Sequence, residues 1–443
     1  LSARHLDKLC ERVDTFSVSG DGERLVVRHR DDTIVVPSSH KVDDDDPAYI
    51  RVDLTRLRRT VNPRAEWRQM FDENGRLMAS HYWREDMNGV DWDSVLNRYR
   101  PLVDLCHVVD DLHDILWETV AELNTSHSYV SASGAAGDSD MRAGLLGADV
   151  SSGNDGAKVV RVIPGESSDP RAWSPLRAAG VAVTEGDVIV AVDGRKVGAD
   201  GNLGELLEGS AGRVVELTVR RGENERQVAV VPMADEAPLR YHDWVASRRR
   251  YVEEHSGGRL GYLHVPDMVS DGWAELHRQI GEATRHEGVI ADVRFNHGGH
   301  TSQLVVERLA RRVVGWDYSR WYATADTYPQ NAVRGPIVMV TNQWAGSDGD
   351  IVAAATQAMG YAKVIGERSW GGVVGIDGRF DLVDGTSVTQ PRYAGWYGSY
   401  GWGVENHGVD PDIVVTVSPE DWEADCDVQL DAAIAECLRQ LDD

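Results

Sequence analysis

Alternation of apolar and polar residues predicts short strands at the start of the chain. Segments 15–19, 24–28 and 33–36 alternate in this way, and Gly20-Asp21-Gly22 between the first two is typical of a hairpin turn. From about residue 51 to 125 the apolar positions instead recur every three or four residues, which favours helices. The clearest apolar stripe, which we interpret as a core-facing helix surface, comprises Leu112, Ile115, Leu116, Val120 and Leu123.

Residues 141–233 have a different pattern, with short β segments separated by glycines. The loop Gly144 to Gly147 precedes predicted strands at 158–163, 189–192 and 215–219, and a short helix is predicted near 203–207. This order resembles a PDZ domain. In that family a glycine-containing loop presents backbone N–H groups to a peptide carboxylate, and a strand edge pairs with the peptide. Peptide binding and a purely spacing role are both open for this segment.

From about residue 258 onward, strands and helices alternate. Strands are predicted at 260–265, 289–295 and 337–340, and helices at 273–284, 301–314 and 350–359. Such alternation predicts an α/β layered domain, whose active sites tend to lie where strands give way to helices.

Length and charge narrow the possible functions. The 443 residues are enough for two to four domains, and 42% hydrophobic with 27% charged residues is ordinary for folded proteins. The net charge of −26 opposes nucleic acid and anionic membranes and favours basic peptides. A surplus of acidic residues also serves simply to keep a protein soluble.

Cysteine usage and the chain start indicate a cytoplasmic protein. The four cysteines show no CxxC spacing, so neither a zinc knuckle nor a disulfide framework is indicated. No stretch approaches the roughly 18 to 20 apolar residues of a membrane span, and residues 1–5 do not resemble a signal peptide. The sequence does not begin with Met, so we expect it to be a fragment.

Ser347 is the first candidate for chemistry. It lies between Gly346 and Asp348, on a tight turn that joins the predicted strand 337–340 to the helix that follows. A serine at a helix start can project its oxygen outward, where free N–H groups and the helix dipole favour developing negative charge. The alternative is an N-cap serine that only satisfies helix donors.

A glycine pair supplies a second candidate element. Gly298 and Gly299 follow a predicted strand and precede a helix, so their backbone can approach a ligand closely. The N–H of Gly298 or Gly299, together with that of Asp348, is suited to an oxyanion hole, although an ordinary glycine-rich turn is the alternative. The flanking His297 and His300 have no nearby third ligand, so we expect no metal.

A serine nucleophile also needs a base, which sequence position alone cannot identify among 15 histidines. Several separate motifs occur in one order: strands that look like the last blade of a β-propeller, a helical segment, a PDZ-like insert and an α/β segment. The motifs Thr125-Ser126-His127, Asn296-x-Gly298-Gly299 and Gly346-Ser347-Asp348-Gly349 lie within that order. Together they resemble the catalytic part of the tricorn protease family.

This resemblance implies a set of site residues. His127 would be the general base for Ser347, and Ser126 and Glu405 would complete a tetrad that orients the imidazole. In the loop around Glu405, Asp410 is a rival carboxylate. Asp317 would receive a basic substrate side chain, which would give a preference for Lys or Arg.

The resemblance also implies a fold and a biological context. The fold class would be multidomain α/β, with a β-propeller remnant (1–40), a helical subdomain (41–140), a PDZ-like domain (141–235) and a crotonase/ClpP-like α/β catalytic domain (236–443). The activity would be hydrolysis of short peptides through an acyl-enzyme, without metal or organic cofactor, by a cytoplasmic hexamer that binds neither nucleic acid nor membrane.

Two other functions remain open from the sequence. A carboxyl-terminal processing peptidase would share the PDZ and α/β domains but use a Ser–Lys dyad, and Lys363 is the only lysine after Ser347. A non-catalytic peptide-binding scaffold would keep the domains without turnover.

Overall fold

The computed structural model describes residues 8–30, 32–132, 141–198, 202–321 and 323–443. It forms two compact units, residues 1–66 and residues 67–443. The first unit contains β1 (Thr15–Val18), β2 (Arg24–His29), β3 (Asp32–Pro37) and β4 (Ile50–Arg51), which pair in this order as an antiparallel sheet. The predicted strands and hairpin are therefore confirmed, whereas their origin in a propeller blade stays a prediction. No helix in the described ranges has the length and apolar character needed to span a bilayer.

The predicted helical region forms three helices packed around one core. They are α1 (Pro63–His81), α2 (Trp92–Val103) and α3 (Val109–Ala121), and the short strand β5 (Val130–Ser131) follows. The predicted stripe, which runs along α3 to Leu123 just beyond its end, is confirmed as core, because Leu112, Leu116, Val120 and Leu123 are fully buried. Since α3 ends at Ala121, residues 124–129 continue as a loop, in which His127 and Ser128 are buried.

The PDZ-like segment is a six-stranded antiparallel sheet with one short helix. Its elements are β6 (Ala148–Gly153), β7 (Gly156–Val162), β8 (Val188–Val192), β9 (Arg195–Lys196), α4 (Leu203–Leu206), β10 (Val215–Arg221) and β11 (Asn224–Val230). The strand order is β11-β10-β8-β7-β6, with β9 paired to β8. Asp193 and Gly194 both have positive φ, as the tight turn between β8 and β9 requires.

The glycine-containing loop of this segment already donates its N–H groups within the protein. Gly147 donates to Glu236 Oε1 at 2.7 Å, so a carboxylate of the chain itself occupies a position suited to a peptide carboxylate. Leu145 N–H donates to the Met233 carbonyl at 2.8 Å. This arrangement favours the spacer interpretation over peptide binding.

The α/β segment is built on a five-stranded parallel sheet. Its strand order is β12 (Leu260–His264), β13 (Gly288–Asp292), β16 (Ile337–Thr341), β17 (Ala362–Gly366) and β21 (Ile413–Val414). Helices cover it: α5 (Ala237–His255), α6 (Ser270–Ala283), α7 (Ser302–Leu309), α8 (Asp348–Met359), α9 (Pro419–Glu423) and α10 (Val428–Asp442). Two-stranded ribbons complete the segment: β14 (Gly315–Asp317) with β15 (Asp326–Tyr328), β18 (Gly375–Asp377) with β20 (Gln390–Tyr393), and β19 (Ser387–Val388) with β5.

Two predicted boundaries were wrong. The helix predicted at 301–314 ends at Leu309, because the following backbone pairs with another segment: Val314 N–H donates to the Tyr328 carbonyl. The strand predicted at 289–295 ends at Asp292, because Arg294 turns back to form an ion pair with Asp292 and Phe295 takes a φ of 59°. In both places tertiary contacts override the local pattern.

Candidate active site

Ser347 lies on the turn between strand β16 and helix α8. Its backbone has φ 57° and ψ −119°, a region that a residue with a side chain occupies only under strain. Although Ser347 is the N-cap of the described helix α8, its side chain makes no capping hydrogen bond. The N-cap alternative therefore does not account for this serine, and its half-buried hydroxyl is not committed to the helix.

Ser126, His127 and Glu405 are brought into direct contact. Ser126 Oγ lies 3.0 Å from His127 Nδ1 and donates to Glu405 Oε2 at 3.1 Å, while Ser126 N–H donates to Glu405 Oε1 at 2.8 Å. A serine hydroxyl has one proton, so if it goes to the carboxylate, the imidazole must donate from Nδ1. That tautomer leaves Nε2 as an acceptor, which is the state a general base requires.

Glu405 is the carboxylate of this cluster, and Asp410 is not. Glu405 Oε2 also accepts the N–H groups of Val373 and Val374, at 2.8 and 3.0 Å. Asp410 instead forms ion pairs with Arg368 and His407, at 2.7 and 2.8 Å. Of the two carboxylates that the sequence offered, only Glu405 contacts Ser126.

The His127 imidazole is buried, with 8% of its residue surface exposed. Burial lowers the pKa of His127 below its ordinary value, while the negative charge of Glu405 and a hydrogen bond to the Val374 backbone act in the opposite direction. The net effect is a lowered pKa, so the ring is neutral at pH 7 and able to accept a proton.

Trp370 connects the histidine to the nucleophile turn. Its ring meets the His127 ring edge-on, with centroids 5.7 Å apart and an interplanar angle of 88°. The same indole covers Gly346, where an added Cβ would lie 2.7 Å from the ring. Gly346 directly precedes Ser347, so one side chain packs against both the proposed base and the turn that carries the proposed nucleophile.

The glycine pair lies beside Ser347. Gly298 has φ 74°, and a Cβ there would be 2.5 Å from the Ser347 Cβ, so the backbone approaches the serine closely because no side chain intervenes. Gly298 N–H donates to Asn296 Oδ1 at 2.9 Å and is thus already engaged. Gly299 is exposed and has φ 148°. The close approach distinguishes this segment from an ordinary glycine-rich turn.

Asp317 and Lys363 lie outside these contacts. Asp317 is exposed on strand β14, where it faces Asp326 across the β14–β15 ribbon. Lys363 is exposed on strand β17, where its charge acts on Glu436 of α10. This position gives no support to a Ser–Lys dyad. Within the described ranges no three His, Cys, Asp or Glu side chains are grouped so as to hold a metal ion.

Sequence reasoning did not single out Asp350, Trp370 or the backbone of 371–374. Asp350 follows Ser347 at the spacing of a capping box, which is a readable signal. Trp370 and the N–H donors beyond it carry no such pattern, because their role depends on where the loop folds back.

Comparisons with known proteins agree with this architecture. Residues 63–121 match the model of the tricorn protease C1 domain, residues 144–235 that of the tricorn protease PDZ domain, and residues 259–415 that of peptidase family S41. Together these matches describe a multidomain α/β protein with a PDZ domain and an S41 peptidase domain.

Similarity over the whole of the given sequence also indicates the tricorn proteases. The chain is 56% identical over 448 residues to tricorn protease homolog 1 of Streptomyces coelicolor and 35% identical over 442 residues to the tricorn protease of Thermoplasma acidophilum. All of the chain is matched in both cases, but it spans only 42% and 41% of those proteins. A crystal structure of the tricorn protease superposes with a TM-score of 0.91 at 33% identity, covering the whole chain and 43% of that structure. The chain belongs to the tricorn protease family.

Proposed function

We propose that the protein is a serine peptidase of tricorn type, with Ser347 as nucleophile and His127 as general base. The observation that carries this proposal is the contact of Ser126, His127 and Glu405, across 279 positions of sequence, with Trp370 packed against both His127 and the strained, uncapped serine turn. A serine with only a structural role would not need a strained backbone conformation. A histidine with only a structural role would not need neighbours that fix which ring nitrogen carries the proton.

The reaction proceeds through an acyl-enzyme. Ser347 Oγ attacks the peptide carbonyl while its proton passes to His127 Nε2; the C–N bond then breaks, and the same proton goes to the leaving amine. Water next attacks the ester, giving its proton to His127, and Ser347 regains a proton as the acid leaves. Ser126 and Glu405 hold the imidazole and stabilise its charged form.

The oxyanion hole in this proposal uses the N–H groups of Asp348 and of the glycine pair. Since Gly298 N–H is already donated to Asn296, Gly299 is the better candidate of the two glycines. Asp348 begins helix α8, so its N–H is among those without an intrahelical acceptor, and the dipole of α8 favours an anion there.

Substrate and assembly are proposed from the family resemblance and charge. Short peptides are the substrates, Asp317 receives a basic side chain, and the net charge of −26 favours such peptides. The protein acts without cofactor as a cytoplasmic hexamer. The domains divide as 1–40, 41–140, 141–235 and 236–443, and strands β1 to β3 are the end of a propeller blade.

Covalent labelling tests the proposal. A fluorophosphonate probe should modify the purified protein once, on Ser347, and mass spectrometry of the digested protein locates the adduct. The His127→Ala variant should lose labelling, whereas Lys363→Ala should keep it. Labelling lost only in Lys363→Ala would support a Ser–Lys dyad instead, and an unlabelled wild-type protein would indicate a scaffold.

A further inference from the structure

Asp350 is a buried carboxylate in the first turn of helix α8, three residues after Ser347. It has no exposed surface, and its partners are neutral donors. Oδ1 accepts hydrogen bonds from Ser369 Oγ and from Gly371 N–H at 2.8 Å, and Oδ2 accepts Gly372 N–H at 3.1 Å. Asp350 lies in the first turn of α8, where the neighbouring Ile351 N–H donates to the Ser347 carbonyl at 3.1 Å. One carboxylate therefore joins the first turn of α8, which follows directly on the strained Ser347, to the loop 369–374.

The loop 369–374 connects Asp350 to the histidine side of the site. Four consecutive N–H groups are divided between two carboxylates: those of Gly371 and Gly372 go to Asp350, and those of Val373 and Val374 go to Glu405. The loop packs closely against the backbone at Gly371, where φ is 91° and a Cβ would be 2.5 Å from the Gly408 nitrogen. Its Trp370 packs against the His127 ring.

Such a geometry links two parts of the site that come from distant segments. Burying a carboxylate is costly unless several donors compensate it, and a group held by several donors has little freedom to move. Any displacement of the Asp350 carboxylate would disturb both the first turn of α8, which follows Ser347, and the loop that fixes Glu405.

We propose that Asp350 is a positioning residue: it holds the nucleophile turn and loop 369–374 in one arrangement, so that Ser347 stays aligned with His127, Ser126 and Glu405. The inference rests on the proposed peptidase function. Asp350 touches no reacting atom and acts through the first turn of α8, which follows Ser347, and through the backbone of residues 371 and 372.

Asp350→Asn is the direct test, because the amide has the same size but can accept at only one of its two ends. The rate constant of fluorophosphonate labelling, expressed per labelled site, should fall about 10- to 100-fold, since misplacement of about 1 Å costs that much. For peptide hydrolysis, kcat should fall by a similar factor and KM should change by less than about threefold.

Asp187→Asn is the matched control. Asp187 is a buried carboxylate that accepts a backbone N–H from Thr184 and pairs with Arg221, within the PDZ-like segment. Its substitution should reduce only the fraction of labelled protein, not the rate per site. If Asp350→Asn behaves in the same way, with a per-site rate within twofold of wild type, Asp350 is merely structural and the proposal is wrong.

A double-mutant cycle tests the link through the loop. If Asp350 and Glu405 act on one shared loop, the losses caused by Asp350→Asn and Glu405→Gln should overlap, and the double variant should be at least threefold more active than the product of the single losses implies. Simple multiplication of the two losses would contradict the coupling.

Ser369→Ala keeps the test informative if Asp350→Asn does not fold. It removes one donor from Asp350 and should lower the per-site labelling rate about 3- to 10-fold, so an unchanged rate would overturn the proposal. A wild-type protein that is not labelled on Ser347 would refute the proposed function and this inference together. If the wild-type protein is labelled on Ser347 and the Asp350→Asn and Ser369→Ala variants are labelled at the same rate per site, the inference is refuted but the proposed function is not.

Discussion

Replacing Glu405 with Gln separates the charge of this residue from its shape. Oε2 accepts three hydrogen bonds, from Ser126 Oγ and from the N–H groups of Val373 and Val374, whereas Oε1 accepts only the Ser126 N–H. In Glu405→Gln the amide oxygen should take the place of Oε2, because this keeps three donors satisfied. The amide NH₂ then faces the Ser126 N–H, and one donor loses its partner.

The expected magnitudes differ for folding and for catalysis. One unpaired donor costs about 1 to 3 kcal/mol, and the lower end applies because Glu405 is only partly buried. Catalysis should suffer more, because the charge that stabilises the His127 imidazolium is gone. A loss of about 100-fold in kcat corresponds to roughly 2.7 kcal/mol of transition-state stabilisation.

The assay is steady-state hydrolysis of a fluorogenic peptide with a basic residue, normalised to active sites titrated by a fluorophosphonate. Asp410→Asn is the matched control, because this carboxylate is in the same loop but pairs with Arg368 and His407. We expect its kcat to stay within twofold of wild type. Retention of more than a third of the kcat in Glu405→Gln, or an equal loss in Asp410→Asn, would refute the assignment of Glu405.

Three further predictions concern other parts of the molecule. Gly298→Ala should lower kcat at least 100-fold, because its Cβ would be 2.5 Å from that of Ser347 at a φ of 74°; retention of a tenth of the wild-type kcat contradicts this. The pH profile of kcat/KM should lose activity toward acid with a midpoint below 6.5, because burial lowers the pKa of His127 and protonation removes the base; a midpoint above 6.5 contradicts it. Glu236→Ala should free the Gly147 N–H and allow a fluorescent peptide with a free carboxylate to bind, as measured by fluorescence polarisation. Binding equal to that of wild type would refute the idea that Glu236 blocks this loop.

Local pattern was enough to predict much of the fold. Strand β16, the turn at Ser347 and helix α8 follow from a short apolar run, small residues and a helical period. Helix α5 was not predicted, because its 19 residues carry many charges and bury only Leu239, Val245 and Val252. The overlong helix at 301–314 failed because pairing with Tyr328 decides where the chain leaves α7.

In the candidate site, some contacts were predicted from family resemblance and others could not be predicted at all. Nothing local in the sequence joins Ser126 to Glu405, so their pairing came from family resemblance, and the structure places them in contact. The links from Asp350 to loop 369–374 could not be anticipated, because they use backbone N–H groups of a loop whose path depends on tertiary packing. Side-chain identity carries no signal for such contacts.

A crystal structure of the fluorophosphonate-treated protein tests the central claim most directly. We expect phosphorus bonded to Ser347 Oγ, the phosphonyl oxygen within about 3 Å of the N–H groups of Asp348 and Gly299, and His127 Nε2 at hydrogen-bond distance from Oγ. An adduct on another residue, or an imidazole about 10 Å or more from Ser347 in the labelled protein, would contradict it.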